Sequence, residues 1–233
     1  TKNAERLLSL LMSYTREGFA YRVDTRLRPE GAKGMLVHSI DSLRKYYSGS
    51  AAFWEFQALL KARPVSGDKR TRRGFMEMAR ELLVKHGRNI SASDVRSMRE
   101  RIQRELSNEE SGYDIKLGTG GLEELEFTVQ YLQLKNCGNH PAILVQGTLA
   151  ALKRLKKAGI VNKPDAAFMK GAYVFYRTIE SYLRLREKDV LKKHEEFLND
   201  VSEFLGFKGK DELVRRVEET RGKARDIYNL MVV

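Results

Sequence analysis

Apolar residues recur at helical spacing in successive segments from about residue 71 to the end of the chain, and only short breaks separate these segments. The first stripe consists of Phe75, Met78, Ala79 and Leu82. Amphipathic helices with short connections bury their stripes by packing against one another. We therefore predict an α-helical bundle over residues 71–233. Its later helices are predicted over residues 91–106, 122–135, 146–158, 165–187, 189–205 and 209–231.

The first 70 residues carry a mixed pattern. Apolar and charged residues alternate over residues 19–27, and this period of two predicts a β-strand with one charged face. A second short strand is predicted over residues 35–38. Helices are predicted over residues 2–16, 39–47 and 51–62, the second of them capped by Ser39. The fold class is therefore mainly α with a small β part, and a domain boundary is expected near residue 70.

Charge and composition narrow the class of protein. The 233 residues carry a net charge of +12, which favours a polyanionic partner: nucleic acid, nucleotide phosphates or an acidic protein surface. No apolar run is long enough to span a bilayer, and Cys137 is the only cysteine, which fits a cytoplasmic protein. Thr1 stands in place of an initiator methionine at the start of an amphipathic segment, so we expect an excised part of a longer protein.

The segment from Tyr21 to Pro29 has the most distinctive chemistry. Asp24 lies between arginines on the charged face of the predicted strand. Its carboxylate could coordinate a divalent cation while the arginines hold phosphate oxygens. The alternative is a solvated face of ordinary surface ion pairs, and the two interpretations are about equally supported.

A second segment, residues 53–63, predicts a helix that contains the only tryptophan. Trp54 and Leu59 are expected in the core, with Glu55 and Lys61 in solvent. Arg63 lies at the end of this helix, before a loop, and is a candidate anion ligand.

A third segment, residues 116–126, places a glycine-rich turn before a helix. Such a turn can cradle a phosphate through its backbone amides, and Lys116 precedes it. Glutamates in the first helical turns would repel an anion, and they also complement the helix dipole. Glu123 and Glu126 face the same way and could together bind a cation or a basic partner.

These three segments, in this order, resemble the glutamine synthetase adenylyltransferase family. The matching stretches are Tyr-Arg-Val-Asp-Thr-Arg-Leu-Arg-Pro-Glu-Gly at 21–31, Trp-Glu-Phe-Gln-Ala-Leu-Leu-Lys-Ala-Arg-Pro-Val-Ser-Gly-Asp at 54–68, and Asp-Ile-Lys-Leu-Gly-Thr-Gly-Gly-Leu-Glu-Glu-Leu-Glu-Phe-Thr-Val-Gln-Tyr at 114–131. The resemblance implies the last part of a nucleotidyltransferase-like α/β domain over residues 1–70, followed by an α-helical bundle domain over residues 71–233.

The resemblance also implies a site and a reaction. Asp24 matches the third metal carboxylate of that superfamily, while the Gly-Ser turn and Asp-x-Asp pair that supply the other two do not precede it. The implied cofactors are Mg²⁺ and ATP, with Arg26, Arg28 and Arg63 steadying phosphates. The implied reaction transfers AMP to a tyrosine of glutamine synthetase, and the chain alone is expected to be inactive because two carboxylates are missing.

Three alternatives remain open at this point. The chain could come from the deadenylylating half of such an enzyme, which uses phosphate to release ADP from adenylyl-tyrosine. It could be a helical module that contacts glutamine synthetase or the PII signal protein. It could also bind nucleic acid, although the interleaving of basic residues with glutamates over residues 94–110 makes that unlikely.

Overall fold

The computed structural model describes residues 1–233 and is mainly α-helical, as the sequence predicts; it also contains one two-stranded sheet. Contacts divide the chain into two compact units, Thr1–His86 and Gly87–Val233. The helices of the first unit are α1 Lys2–Met12, α2 Ile40–Gly49, α3 Phe53–Lys61 and α4 Lys69–His86. The elements of the second are α5 Ala92–Leu106, β1 Gly112–Tyr113, α6 Leu122–Asn136, α7 Thr148–Lys157, α8 Lys163–Leu185, β2 Leu191–Lys192, α9 Glu195–Phe204 and α10 Lys210–Met231.

The core of the first unit forms where α4 packs against α2 and α3. Ser39 caps α2 as predicted, because its side chain accepts a hydrogen bond from the amide of Ser42. Phe56 of α3 and Met78 of α4 are both buried in this core. The first unit therefore runs beyond residue 70 to the end of α4, and the assignment of residues 1–70 and 71–233 to two named domains stays a prediction.

The predicted strand over residues 19–27 is wrong for this structure, since these residues form no ladder. Tyr21 and Leu27, expected to face a core, are 67% and 69% exposed. A strand is stabilised by hydrogen bonds to a neighbouring strand, and no segment of the 233 residues pairs with this one. Residues 35–38 likewise form no strand.

Helix α6 is the centre of the second unit and contacts α5, α7, α8 and α10. Nearly every residue from Leu122 to Leu134 is buried except Glu123 and Glu126, so the helix is enclosed on all sides. Strands β1 and β2 pair antiparallel, with Tyr113 opposite Leu191. The helix predicted over residues 189–205 is therefore too long: its first residues belong to β2, and α9 begins at Glu195.

Gly120, in the turn before α6, cannot be replaced without strain. Its φ is +67°, and a Cβ atom there would overlap the backbone carbonyl of Arg221. We expect Gly120→Ala to lower the free energy of unfolding by about 3 kcal/mol, because the substitution adds left-handed strain to a backbone clash. Urea unfolding followed by circular dichroism measures this change.

Gly171→Ala is the matched control for that prediction. Gly171 lies inside α8 and has nothing within 4 Å of the position of a new Cβ. Alanine should raise stability there by about 0.5–1 kcal/mol, since it is a better helix former than glycine. Equal losses at both glycines would contradict the special role given to the turn.

Candidate functional site

The carboxylate of Asp24 is held by Arg26 in an exposed stretch of the first unit. Both carboxylate oxygens accept hydrogen bonds from the Arg26 side chain, the shortest measuring 2.7 Å, and the Arg26 backbone N–H donates to Oδ1 at 2.9 Å. The Asp24 side chain is 53% exposed and that of Arg26 is 79% exposed. The pair therefore lies open to solvent, with an ionised carboxylate at the surface.

Hydrogen bonds from Arg26 lower the pKa of Asp24 from its usual 3.8 to about 2. Any contribution of the pair to stability is complete above pH 3.8 and disappears as the pH falls through about 2, because protonation removes the charge that Arg26 contacts. We expect an NMR titration of the Asp24 carboxyl to find a midpoint near 2, and Arg26→Gln to raise this midpoint toward 3.8, because the side-chain hydrogen bonds are lost while the backbone N–H of residue 26 still donates to Oδ1. A wild-type midpoint at the usual value would contradict this geometry.

Arg28 stabilises the loop that follows Asp24. Its guanidinium donates to the carbonyl oxygens of Thr25 at 2.6 Å, Ala32 at 3.1 Å and Gly34 at 3.2 Å. Three carbonyls from one loop therefore converge on a single side chain, which fixes the shape of residues 25–34 next to Asp24.

Glu55 is buried, and the expectation that it would lie in solvent is wrong. Its carboxylate accepts hydrogen bonds from the Tyr46 hydroxyl at 3.0 Å and from the Ala52 N–H, at the start of α3, at 2.8 Å. The Tyr46 oxygen in turn accepts a hydrogen bond from the amide of Glu30. Burial of the carboxylate is compensated by these donors, and the chain of contacts links α3 and α2 to the loop after Asp24.

Arg63 and Trp54 complete the predicted residues of the first unit. Arg63 is exposed just beyond α3, and Trp54 is only partly buried. A cavity of about 450 Å³ lies between the loop after Asp24 and helices α2 to α4, and Arg28 and His38 are among its lining residues. Both ring nitrogens of His38 are buried without a hydrogen-bond partner, a feature that the sequence did not suggest.

In the second unit, the backbone amides of the glycine-rich turn before α6 donate hydrogen bonds within the turn itself. The amides of Gly118, Gly121 and Leu122 donate to carbonyls within residues 114–118. The Asp114 carboxylate accepts hydrogen bonds from the amides of Lys116 and Leu117. These amides are therefore already bonded and do not form an open phosphate cradle.

The carbonyls of this turn are bound by side chains from three other helices. Arg99 of α5 donates to Leu117 and Gly118, Arg221 of α10 donates to Thr119, and the Tyr176 hydroxyl of α8 donates to Gly120. Arg99 is 1% exposed and also lies 3.4 Å from the fully buried carboxylate of Glu124, which Arg225 approaches to 2.7 Å. The result is a buried ionic cluster around the start of α6.

Glu123 and Glu126 each face an arginine of their own unit. Glu123 lies 4.0 Å from Arg99, and burial raises the pKa of its carboxyl. Glu126 accepts a hydrogen bond from Arg177 at 3.1 Å. Lys116 is exposed and lines a cavity of about 400 Å³ in this unit.

Asp24 is the magnesium ligand that the family resemblance implies. Magnesium is usually held by carboxylates together with substrate phosphates. Asp24 supplies one carboxylate, and no group of three or more acidic, histidine or cysteine side chains in residues 1–233 is arranged to hold a metal. The residues of this chain therefore do not make a complete magnesium site by themselves.

No helix in residues 1–233 has both the length and the apolarity required to cross a membrane.

Two family models match the chain, and their limits agree with the two structural units. Residues 1–78 match glutamate-ammonia ligase adenylyltransferase, and residues 94–232 match the model described as GlnD PII-uridylyltransferase. The first match lies within Thr1–His86 and the second within Gly87–Val233. The boundary between the units thus falls between the two matched regions.

Relatives named bifunctional glutamine synthetase adenylyltransferase/adenylyl-removing enzyme match nearly the whole chain. The protein from Cutibacterium acnes (strain DSM 16379 / KPA171202) is 37% identical over 96% of this chain and 23% of its own length. That from Methylococcus capsulatus (strain ATCC 33009 / NCIMB 11132 / Bath) is 32% identical over 100% of this chain and 25% of its own length. The chain thus spans about a quarter of the length of these relatives. On these matches, it belongs to the glutamine synthetase adenylyltransferase family.

Proposed function

We propose that the protein to which this chain belongs transfers AMP from ATP to a tyrosine of glutamine synthetase. The observation that carries the proposal is the whole-chain similarity to enzymes of that name, together with an ionised Asp24 beside arginines in the matched first unit. Such a protein would regulate nitrogen assimilation in the cytoplasm. Glutamine synthetase would be its substrate, and the PII signal protein is a second proposed partner.

Within this proposal, Asp24 supplies one carboxylate ligand, and in the present structure Arg26 orients that carboxylate. Arg63 is exposed, so its guanidinium group can reach a nucleotide phosphate. Arg26 is also exposed, but it is paired with Asp24 and would have to release that carboxylate before binding a phosphate. Arg28 would have to release its carbonyl contacts before it could do the same. Mg²⁺ and ATP are the proposed cofactors, the metal neutralising phosphate charge when bound, and its other ligands would lie outside these 233 residues.

Transfer is tested with the full-length protein, purified glutamine synthetase and ATP labelled at the α-phosphate. We expect label to appear on a tyrosine of glutamine synthetase when Mg²⁺ is present. Label that stays in ATP under these conditions would contradict the proposed activity.

The 233-residue chain by itself is expected to transfer no label in the same assay. One carboxylate does not supply enough ligands for the two metal ions that the family resemblance implies, and residues 1–233 offer no group of three ligands. Transfer by the isolated chain at the rate of the full-length protein would show that Asp24 is not one member of a larger ligand set.

Removal of AMP is the second candidate activity, because the relatives' name includes an adenylyl-removing function. It would use inorganic phosphate and release ADP from adenylylated glutamine synthetase. Incubating the full-length protein with adenylylated glutamine synthetase and phosphate, and measuring ADP, distinguishes this reaction from transfer.

A further inference from the structure

A groove between α7 and α8 in the second unit has an apolar floor. Its volume is about 640 Å³. Leu149, Ala150 and Leu152 contribute from α7, while Ala166 and Ala167 contribute from α8. The three alanines have short side chains, so the surface between the two helices is concave at this place.

The groove follows from how α7 packs. Ala151, Leu152 and Leu155 of α7 are buried, so this side of the helix faces the interior of the unit. Leu152 and Ala166 are therefore the buried bottom of the groove, and its accessible apolar surface comes from Leu149, Ala150 and Ala167. Leu149 lies off that side and is 36% exposed, with its apolar surface open to the groove. An apolar floor with this exposure gains free energy when another apolar surface covers it.

The rim of the groove is entirely basic. Lys153 and Lys156 of α7 and Lys170 of α8 line it, and no carboxylate does. None of these three lysines belongs to an ion pair, whereas Arg177 and Arg184, farther along α8, are both paired with Glu180. From Thr148 to Lys170 the sequence has six basic residues against one acidic residue, Asp165.

The apolar floor and the basic rim together fit some classes of binding partner better than others. Nucleic acid would use the lysines and leave the apolar floor uncovered, since its backbone presents phosphates. A bilayer surface is flat on this scale, and a concave floor of alanines offers no side chain that inserts into it. A helix with an apolar stripe flanked by carboxylates satisfies both features, with the stripe on the floor and the carboxylates beside the lysines.

We propose that the α7–α8 groove binds an acidic amphipathic helix of a partner protein. The proposal rests on the groove itself and does not depend on the AMP-transfer activity. Apolar contact supplies affinity, and the three lysines select acidic partners and speed their association.

The test uses the whole chain and a fluorescein-labelled, side-chain-stapled helical peptide of about 16 residues, enough to span α7. The peptide carries leucines on one stripe and glutamates beside it, and fluorescence anisotropy measures its binding. We expect saturable binding that the double variant Lys153→Glu/Lys156→Glu weakens by about tenfold or more. A peptide with lysines in place of the glutamates should not bind.

Lys157→Glu is the control, because Lys157 lies on the same helix outside the groove and the variant makes the same charge change as each of the two groove substitutions. It should change affinity by less than about twofold, and circular dichroism should show all variants folded. No binding of the acidic peptide, or equal weakening by Lys157→Glu, would overturn the proposal. It would also be overturned if the groove variants abolished binding of duplex DNA, binding of phosphatidylglycerol vesicles or self-association while leaving the peptide unaffected.

Discussion

Asp24→Asn in the full-length protein is expected to lower AMP transfer to glutamine synthetase by about a thousandfold or more, an effect typical of losing a charged group at the reacting phosphate. Asparagine has nearly the same shape as aspartate but no negative charge. The Asp24 side chain is 53% exposed, so the substitution disturbs little packing. Initial rates of label transfer from α-labelled ATP measure the loss.

Asp41→Asn is the matched control for this variant. Asp41 is also an exposed aspartate of the first unit, and it lies in the first turn of α2. Its replacement should leave the transfer rate within about twofold, since it removes only weak surface interactions with the helix dipole and with Arg44. Equal transfer by Asp24→Asn and wild type would remove Asp24 from the site.

Arg99→Met is expected to lower the free energy of unfolding by about 3–5 kcal/mol. Arg99 is 1% exposed, donates to the carbonyls of Leu117 and Gly118, and lies 3.4 Å from the buried Glu124 carboxylate. Methionine fills part of the volume but leaves two carbonyls and a share of a buried charge without a donor. Urea unfolding followed by circular dichroism measures the difference.

Arg101→Met is the matched control for this variant, because it removes an arginine charge that is exposed and not buried. Arg101 belongs to the same helix and also pairs with a glutamate, Glu105, but the two side chains are 64% and 50% exposed. Exposed pairs of this kind contribute little, so we expect a change below about 0.5 kcal/mol. A loss at Arg99 no larger than at Arg101 would mean that the buried cluster does not hold the turn in place.

Helical periodicity predicted most of the architecture, because amphipathic helices with short connections have few ways to bury their stripes. It located α5, α6, α7, α8 and α10 closely, and side-chain capping chemistry identified the start of α2 at Ser39. The alternation of apolar and charged residues over residues 19–27 predicted a strand that does not form. A β-strand is stabilised by hydrogen bonds to a neighbouring strand, and the pattern of one segment cannot show whether such a neighbour exists.

The burial of Arg99 was the most important side-chain feature that was not predicted from the sequence. Basic and acidic side chains are interleaved over residues 94–110, and this pattern was used only as an argument against nucleic-acid binding. One signal was present: Arg99 lies four residues after Val95, which is fully buried, so the two share a face of α5. The acceptors that stabilise Arg99 come from the turn before α6, and no local pattern in α5 reveals them.

Glu55 is a second charged side chain whose burial could not be predicted from the local sequence. A glutamate in the first turn of a helix is ordinarily solvated, and no sequence feature indicated that Glu55 would be buried. Its burial depends on Tyr46, a residue of another helix that donates to its carboxylate. The motif match to the adenylyltransferase family therefore located the segments, while tertiary contacts determine what each side chain does within them.

Measuring both AMP transfer and AMP removal with one protein tests most directly whether Asp24 belongs to the AMP-transferring site. The full-length protein and its Asp24→Asn variant would be assayed for AMP transfer to glutamine synthetase and for phosphate-dependent release of ADP from the adenylylated form. We predict that the variant loses transfer and keeps release, a result that would place this chain in the adenylylating half. Loss of release with intact transfer would contradict that assignment.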